Sequence, residues 1–406
     1  MSHRFLIGVS ASRGAGGVDA ALVQVDGVGA NASLQLKHHT HMPHGRELRE
    51  LIHRATTDPT PELRHLATLH RVLGESYALA VKQLLDQARV TPSLLACIGC
   101  SAQPLWHDGD GKYPTTLSLG MPEVLAERTG LTVVTDFASK DLAVGGSGVP
   151  FEAFVDARHL RGADESRAVL HLGSIASLVY LPSRRATLNR AVLGFHAAPG
   201  TMLLDGLMRL LTNGKEACDI GGKYAVQGRC IEPLVERWLQ NHYLQKPAPK
   251  CLPFGEFGSD FLNRAIQQAN REGGKLHDVL CTMTHFIARA IVDAIERLLP
   301  DRPERIYVTS RGTRNGLLWH LLEQKLQPTP MQHTDALGIP AESYKAFAAA
   351  ALAGLTLDGV AANIITITGA SGLRVLGSIV PGSPANWSRC LAWMARCASQ
   401  PQAAAA

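Results

Sequence analysis

Arg167-Ala168-Val169-Leu170-His171-Leu172-Gly173-Ser174-Ile175-Ala176-Ser177-Leu178-Val179-Tyr180-Leu181 is the stretch that decides the fold. Two apolar runs, 167–172 and 175–181, flank Gly173-Ser174, and a glycine turn between such runs predicts a β-hairpin. The N-terminal segment has the same form. There, Phe5 to Ser10 and Val18 to Val25 flank the turn Arg13-Gly14-Ala15-Gly16-Gly17. The two segments share little identity, but a hairpin opening each half of the chain predicts two related domains. Their expected bounds are 1–160 and 161–387, with 388–406 as a disordered tail.

Helical and extended patterns alternate after each hairpin. Leu63, Leu66, Leu69, Val72, Leu73, Leu79, Ala80 and Leu84 recur at the spacing of one helix face, which predicts a helix over 62–88. Leu94 to Gly99 and Leu131 to Thr135 read as strands, and Gly130 closes a helix that begins near Val124. In the second half, helices are expected over 201–211, 231–241, 278–299, 315–324 and 343–355, with a strand at 305–308. Strands alternating with helices place the chain in the α/β class.

Composition narrows the function. At 406 residues the chain exceeds what one core usually serves. An apolar fraction of 46% with 18% charged residues excludes a disordered chain. A net charge of +5 without a basic helix face argues against nucleic acid as a partner. No apolar run approaches the ~20 residues that span a bilayer, so no membrane association and a cytoplasmic location are expected. The run Phe5 to Val9 is too short for a signal peptide and reads as the first strand. Eight irregularly spaced cysteines imply no disulfide framework, and Cys97-Ile98-Gly99-Cys100 reads as two half-buried thiols at a strand end. His38, His39, His41 and His44 read as a polar loop, and no metal ligands are assigned.

The glycine turns can present backbone N–H groups to phosphate oxygens. Three occur, at Gly14 to Gly17, at Gly145-Gly146-Ser147-Gly148 and at Gly173-Ser174. Neither a Walker A lysine motif nor a Rossmann G-x-G-x-x-G is present. Gly194 to Asp205 resembles the segment G-Y-D-T-G-P-G-N-M-L-M-D of the anhydro-N-acetylmuramic acid kinases. Further blocks from 8–19, 98–107, 131–148, 169–178, 308–318, 334–339 and 368–371 follow that family's order. The resemblance covers about Phe5 to Trp387. It implies an actin-like ATPase (sugar kinase) fold of two ribonuclease-H-like domains around a central cleft. It also implies ATP with Mg2+ as cofactor and a homodimer. The implied reaction opens the ring of 1,6-anhydro-N-acetylmuramic acid by hydrolysis and phosphorylates O6, within cell-wall recycling.

Carried over by position, the resemblance assigns ATP and phosphate contacts to Ser10, Ser12, Arg13, Gly14, Gly16, Gly17, Gly173, Ser174, Gly312, Arg314 and Asn315. It assigns sugar contacts to Gln103, Asp136, Asp141 and Lys345, and the catalytic position to His196. The departures fall on the chemistry. His196 stands where the family has its base Asp. Ala11, Arg13 and Gly16 replace Ser, Thr and Asp of the phosphate turn, which removes a carboxylate that could organise Mg2+. His171 and Ser177 replace two Asn. Ser310 and Arg311 replace two glycines on the nucleotide side, where an arginine occupies space that backbone left open. Lys345 inverts a Glu. Histidine can take a proton near neutrality but cannot offer negative charge to an oxocarbenium-like transition state. Three readings therefore stand: an active kinase with altered residues, a degenerate pseudokinase that binds a muropeptide sugar, nucleotide or protein partner, and a kinase for another small sugar.

Overall fold

The computed structural model describes residues 3–11, 14–58, 60–185 and 191–399. The chain divides into two units, Met1–Leu160 with Glu342–Ala406, and Arg161–Ala341. The second unit is thus shorter than the expected 161–387, because the chain returns to the first unit at Glu342. Nor are residues 388–398 a tail, since a helix spans Pro384–Ala398 and buries Asn386, Cys390 and Cys397. Ser383 caps it by accepting the Asn386 N–H, and Pro384 occupies the first turn, where a missing N–H costs nothing. Asn386 Oδ1 accepts the Thr132 N–H at 2.8 Å, which ties this helix to the sheet.

In the first unit the strands are β1 (His3–Ala11), β2 (Gly17–Asp26), β3 (Ser33–Pro43), β4 (Leu95–Ser101), β5 (Gln103–Asp108), β6 (Thr115–Leu119) and β7 (Thr132–Thr135). Five of them form a sheet in the order β7-β4-β1-β2-β3, extended past β7 by Ser378–Val380. The first three strands are an antiparallel meander, and β4 and β7 run parallel to β1. β5 and β6 pair separately. The helix Tyr344–Leu357 packs on β1 and β4. Its alanine run lets its backbone reach the sheet, and two glycines receive it. Gly8 and Gly99 are register partners, and a Cβ on them would lie 1.7 Å from Ala346 O and 2.0 Å from Ala349 O. Arg4 forks onto buried Asp358 at 2.6 Å with both terminal nitrogens, just past the end of this helix. These contacts explain why the chain comes back. Gly99→Ala is expected to cost about 3 kcal/mol, since the helix backbone has to move; urea denaturation would measure it, and a loss under about 1 kcal/mol would mean that the contact is loose.

The second unit repeats the pattern. Its strands are β8 (Arg167–Leu172), β9 (Ile175–Leu181), β10 (Leu193–Pro199), β11 (Arg305–Thr309) and β12 (Met331–His333), in the order β10-β9-β8-β11-β12. Again a meander precedes two strands parallel to the first. Both sheets have the strand order 3-2-1-4-5 with the second strand antiparallel, which is the ribonuclease-H-like topology. The helices Thr201–Leu211, Leu276–Leu298 and Gly316–Leu326 contribute to its core, together with Trp238, Phe257, Phe261 and Phe286.

His38, His39 and His41 lie on strand β3 and not in a loop, whereas His44 follows the strand just past Pro43. His41 Nδ1 meets Asp19 at 2.9 Å, His38 meets Gln87, and burial pulls His44 down to about 4. Cys97 and Cys100 are fully buried free thiols on β4, and burial pushes Cys100 up to about 12, which leaves it unreactive. No helix among the described residues is long and apolar enough to cross a membrane.

Candidate functional site

The register of the second sheet draws separate sequence motifs into one line. Thr309 pairs with His171, His171 with Ser177, and Ser177 with His196. Directly paired residues share a face, so these four form a polar row across β11, β8, β9 and β10. Their sequence neighbours Leu170, Leu172, Ala176, Leu178, Phe195 and Ala197 belong to the hydrophobic core on the opposite face. All four row residues are buried. Thr309 Oγ1 and His171 Nδ1 lie 2.9 Å apart. The ladder shifts after His196, so that Ala198 pairs with Ala176 and Ala197 bulges. Such a bulge re-aims a side chain and is common beside active sites.

His196 is strapped to the segment Lys250–Leu252. Its backbone N–H donates to Lys250 O, and its carbonyl accepts from the Tyr243 hydroxyl at 2.6 Å. Its ring Nδ1 accepts the Leu252 N–H at 3.1 Å, with the Cys251 thiol 3.8 Å away. An imidazole whose Nδ1 accepts a backbone N–H carries its proton on Nε2 when neutral. In this arrangement His196 presents a donor, whereas a base needs an acceptor. Lys250 is itself buried, and burial pulls it down to about 8.

Beyond β10 the retained motif residues make a turn and a helix start. The N–H groups of Gly200, Thr201 and Met202 donate to the carbonyls of Ser174, Gly173 and Ser174. A Cβ on Gly200 would lie 2.1 Å from Gly173 O, so only glycine fits. The β8–β9 turn at Gly173 and Ser174 therefore uses its carbonyls to hold the first turn of the helix Thr201–Leu211. Asp205 follows one turn later and accepts from Thr201 Oγ1 at 3.2 Å. Burial pushes its carboxyl up to about 7, although Arg209 and Thr201 pull the other way. Cys218, beyond the helix, is an exposed free thiol.

After β11, Ser310 adopts φ 76°, a conformation in which a side chain is strained. A glycine there, as in the family pattern, would relieve that strain. A Cβ on Gly312 would lie 2.2 Å from Leu172 O, so this glycine serves close packing. Asn315 caps the helix Gly316–Leu326 by accepting the Leu318 N–H, and Arg314 beside it is exposed.

In the first unit, Ser10 is buried at the end of β1, where it pairs with Ser101 and Asp19. Ser12 and Arg13 lie outside the described residues. A Cβ on Gly16 would meet nothing within 4 Å, whereas one on Gly17 would strike Met42 O at 2.3 Å. Gly14 is half-buried. The turn thus leaves open space at Gly16. It brings no carboxylate among its described residues, and Asp19 beyond it is taken by His41. An open glycine turn can receive a phosphate oxygen on its backbone N–H groups, but these residues do not by themselves supply a carboxylate for Mg2+.

The residues assigned to the sugar are mostly engaged with protein. Asp141 is buried and accepts from Gly148 N, Asn363 Nδ2 and Thr368 Oγ1 at 2.8 to 2.9 Å. Asp136 has φ 57°, is exposed and accepts the Ser139 N–H. Gln103 donates its backbone N–H to the Tyr77 hydroxyl, and its buried Oε1 has no partner among the described residues. Lys345 lies 3.5 Å from buried Glu152. The inverted charge at 345 therefore meets a carboxylate that the sequence reading did not single out.

Two ribonuclease-H-like units on one chain, with glycine turns after the first strand of each, define the class of actin-like ATPases and sugar kinases. Within that class the chain belongs to the anhydro-N-acetylmuramic acid kinase family, whose model matches residues 4–382. The anhydro-N-acetylmuramic acid kinase of Salinibacter ruber is 32% identical over 94% of this chain and 97% of its own length. That of Trichormus variabilis is 32% identical over 93% of this chain and 97% of its own. Among solved structures, a ROK family glucokinase from Streptomyces griseus in complex with glucose and AMPPNP matches at 13% identity and TM-score 0.36, covering 86% of this chain and 98% of its own.

Proposed function

We propose that this chain takes the substrates of its family, ATP with Mg2+ and 1,6-anhydro-N-acetylmuramic acid. It opens the anhydro ring with phosphorylation of O6, at a rate far below that of a relative with a carboxylate at position 196. The observation that carries this reading is similarity to kinases of that name over nearly the whole of both chains. Open space at Gly16 supports phosphate binding in the first unit. When bound, ATP supplies the phosphoryl group, and Mg2+ neutralises its developing charge. The chain's own part is to orient both ligands and to move a proton from water or hydroxyl.

A second reading, a pseudokinase that binds without turnover, is favoured by the ring of His196. Its Nδ1 is taken by Leu252, so a neutral His196 donates where the reaction needs an acceptor. Arg311, which stands where the family has a glycine, bears on nucleotide binding in either reading. Calorimetric titration with MgATP, with and without the anhydro sugar, tests the common part. Saturable binding of both is expected. No nucleotide binding by the parent, with binding recovered in Arg311→Gly, would show that Arg311 fills the nucleotide's space and would remove phosphorylation from the account.

A further inference from the structure

A second cluster of ligating side chains lies in the Arg161–Ala341 unit and takes no part in the site above. The donor atoms of Cys230, Glu232 and His285 all lie within 4.8 Å of one another, the only such group of three His, Cys, Asp or Glu residues among those described. Cys230 and Glu232 lie at the start of the helix Glu232–Leu239, and His285 projects from the helix Leu276–Leu298. We propose that Cys230, Glu232 and His285 form a zinc(II) site with three protein ligands and a fourth position open to water.

The geometry has the features of a prepared site. Arg229 N–H donates to Asp278 Oδ1 at 2.8 Å and Ile231 N–H to Thr282 Oγ1 at 3.0 Å. These bonds fix the Cys230 segment along the long helix, so little chain ordering remains for metal binding. Glu232 divides its carboxylate: Oε1 faces the Cys230 sulfur at 3.5 Å, and Oε2 meets Arg289 at 3.3 Å. Arg289 also holds Glu236 at 2.7 Å, so its charge is already shared with two carboxylates. One carboxylate oxygen on a metal and the other on a fixed donor is the usual outer-shell arrangement. Zn–S near 2.3 Å and Zn–N or Zn–O near 2.1 Å place tetrahedral ligand atoms roughly 3.4 to 3.8 Å apart, so ligand atoms within 4.8 Å of one another contract by at most about 1.4 Å. Sulfur, imidazole and carboxylate together suit zinc over magnesium or calcium. Cys230 and His285 are half-buried and Glu232 is exposed, which leaves an entry path. Binding takes up the Cys230 thiol as thiolate and releases its proton to solvent.

Cobalt(II) titration of the reduced, chelator-treated full chain tests this. One equivalent is expected to bind with a sulfur-to-cobalt charge-transfer band, and zinc is expected to displace it. Cys230→Ser and His285→Ala should each weaken binding by about 100-fold or more, and the exposed Glu232→Gln by about 10-fold. The strand variant His38→Gln should bind as the parent does. Far-UV circular dichroism on the same samples separates loss of a ligand from loss of fold, and Glu232→Gln is the variant least able to disturb packing. Absence of the band in the parent, or its full retention in folded Cys230→Ser, would overturn the proposal.

Discussion

Asp205→Asn is expected to stabilise the protein against urea by about 4 kcal/mol at about pH 8 and by almost nothing at about pH 4, since carrying a carboxyl from 3.8 to about 7 is worth that much. The sign follows from proton binding. The folded state holds the proton on Asp205 up to about pH 7, whereas the unfolded chain gives it up near 3.8. Stability from this group is therefore complete below about 3.8 and is lost as pH rises through about 7. Asparagine keeps the bond from Thr201 Oγ1 and never ionises. His44, pulled from 6.5 down to about 4 by burial, gives the opposite slope between those values, but parent and variant share it, so it cancels in the difference. Parallel stability curves for the two proteins across this range would mean that Asp205 ionises freely in the fold.

His196→Asp is expected to raise formation of N-acetylmuramic acid 6-phosphate by roughly 10² to 10⁴-fold, the usual contribution of a positioned general base. The parent ring spends its Nδ1 lone pair on Leu252 and keeps a proton on Nε2. An aspartate can accept the same Leu252 N–H with one oxygen and leave the other for water. It also supplies the negative charge that an oxocarbenium-like transition state needs. The polar row around it, His171, Ser177 and Thr309, stays unchanged. Product quantified by mass spectrometry from the two proteins under the same conditions measures the effect. Equal yields would mean that another group limits the reaction, with the carboxylate-free turn at Gly16 the next to alter.

The hairpins and the doubled α/β pattern were legible because apolar alternation and glycine turns are local. The return of the chain at Glu342 was not. It depends on Gly8 and Gly99 meeting the backbone of a helix more than two hundred residues away in sequence, and no periodicity encodes that. The final helix carried a signal in Ser383-Pro384, a cap followed by proline, that could have placed it. His171, Ser177 and His196 stood out in the sequence as departures from the family pattern, but neither Thr309 nor the alignment of the four in one row did. A two-residue turn at Gly173-Ser174 would pair Leu172 with Ile175 and His171 with Ala176. In the structure Leu172 pairs with Ala176 and His171 with Ser177, so Ile175 belongs to the turn of this pair. That one-residue difference decides which side chains face each other across the strands. The strapping of His196 by Leu252 was likewise hidden, because a backbone donor leaves no mark on residue type. Nothing in residue type marks Asp205, whose raised carboxyl comes from burial that sequence alone does not report.

The most direct test of the central claim, that His196 is not a working base, is the rate of 6-phosphate formation by His196→Ala beside that of the parent. Rates equal within about threefold are expected, because a ring that only donates contributes little to proton removal. A fall of about 100-fold or more would contradict it and make His196 the base, with its bond to Leu252 broken or reversed during turnover.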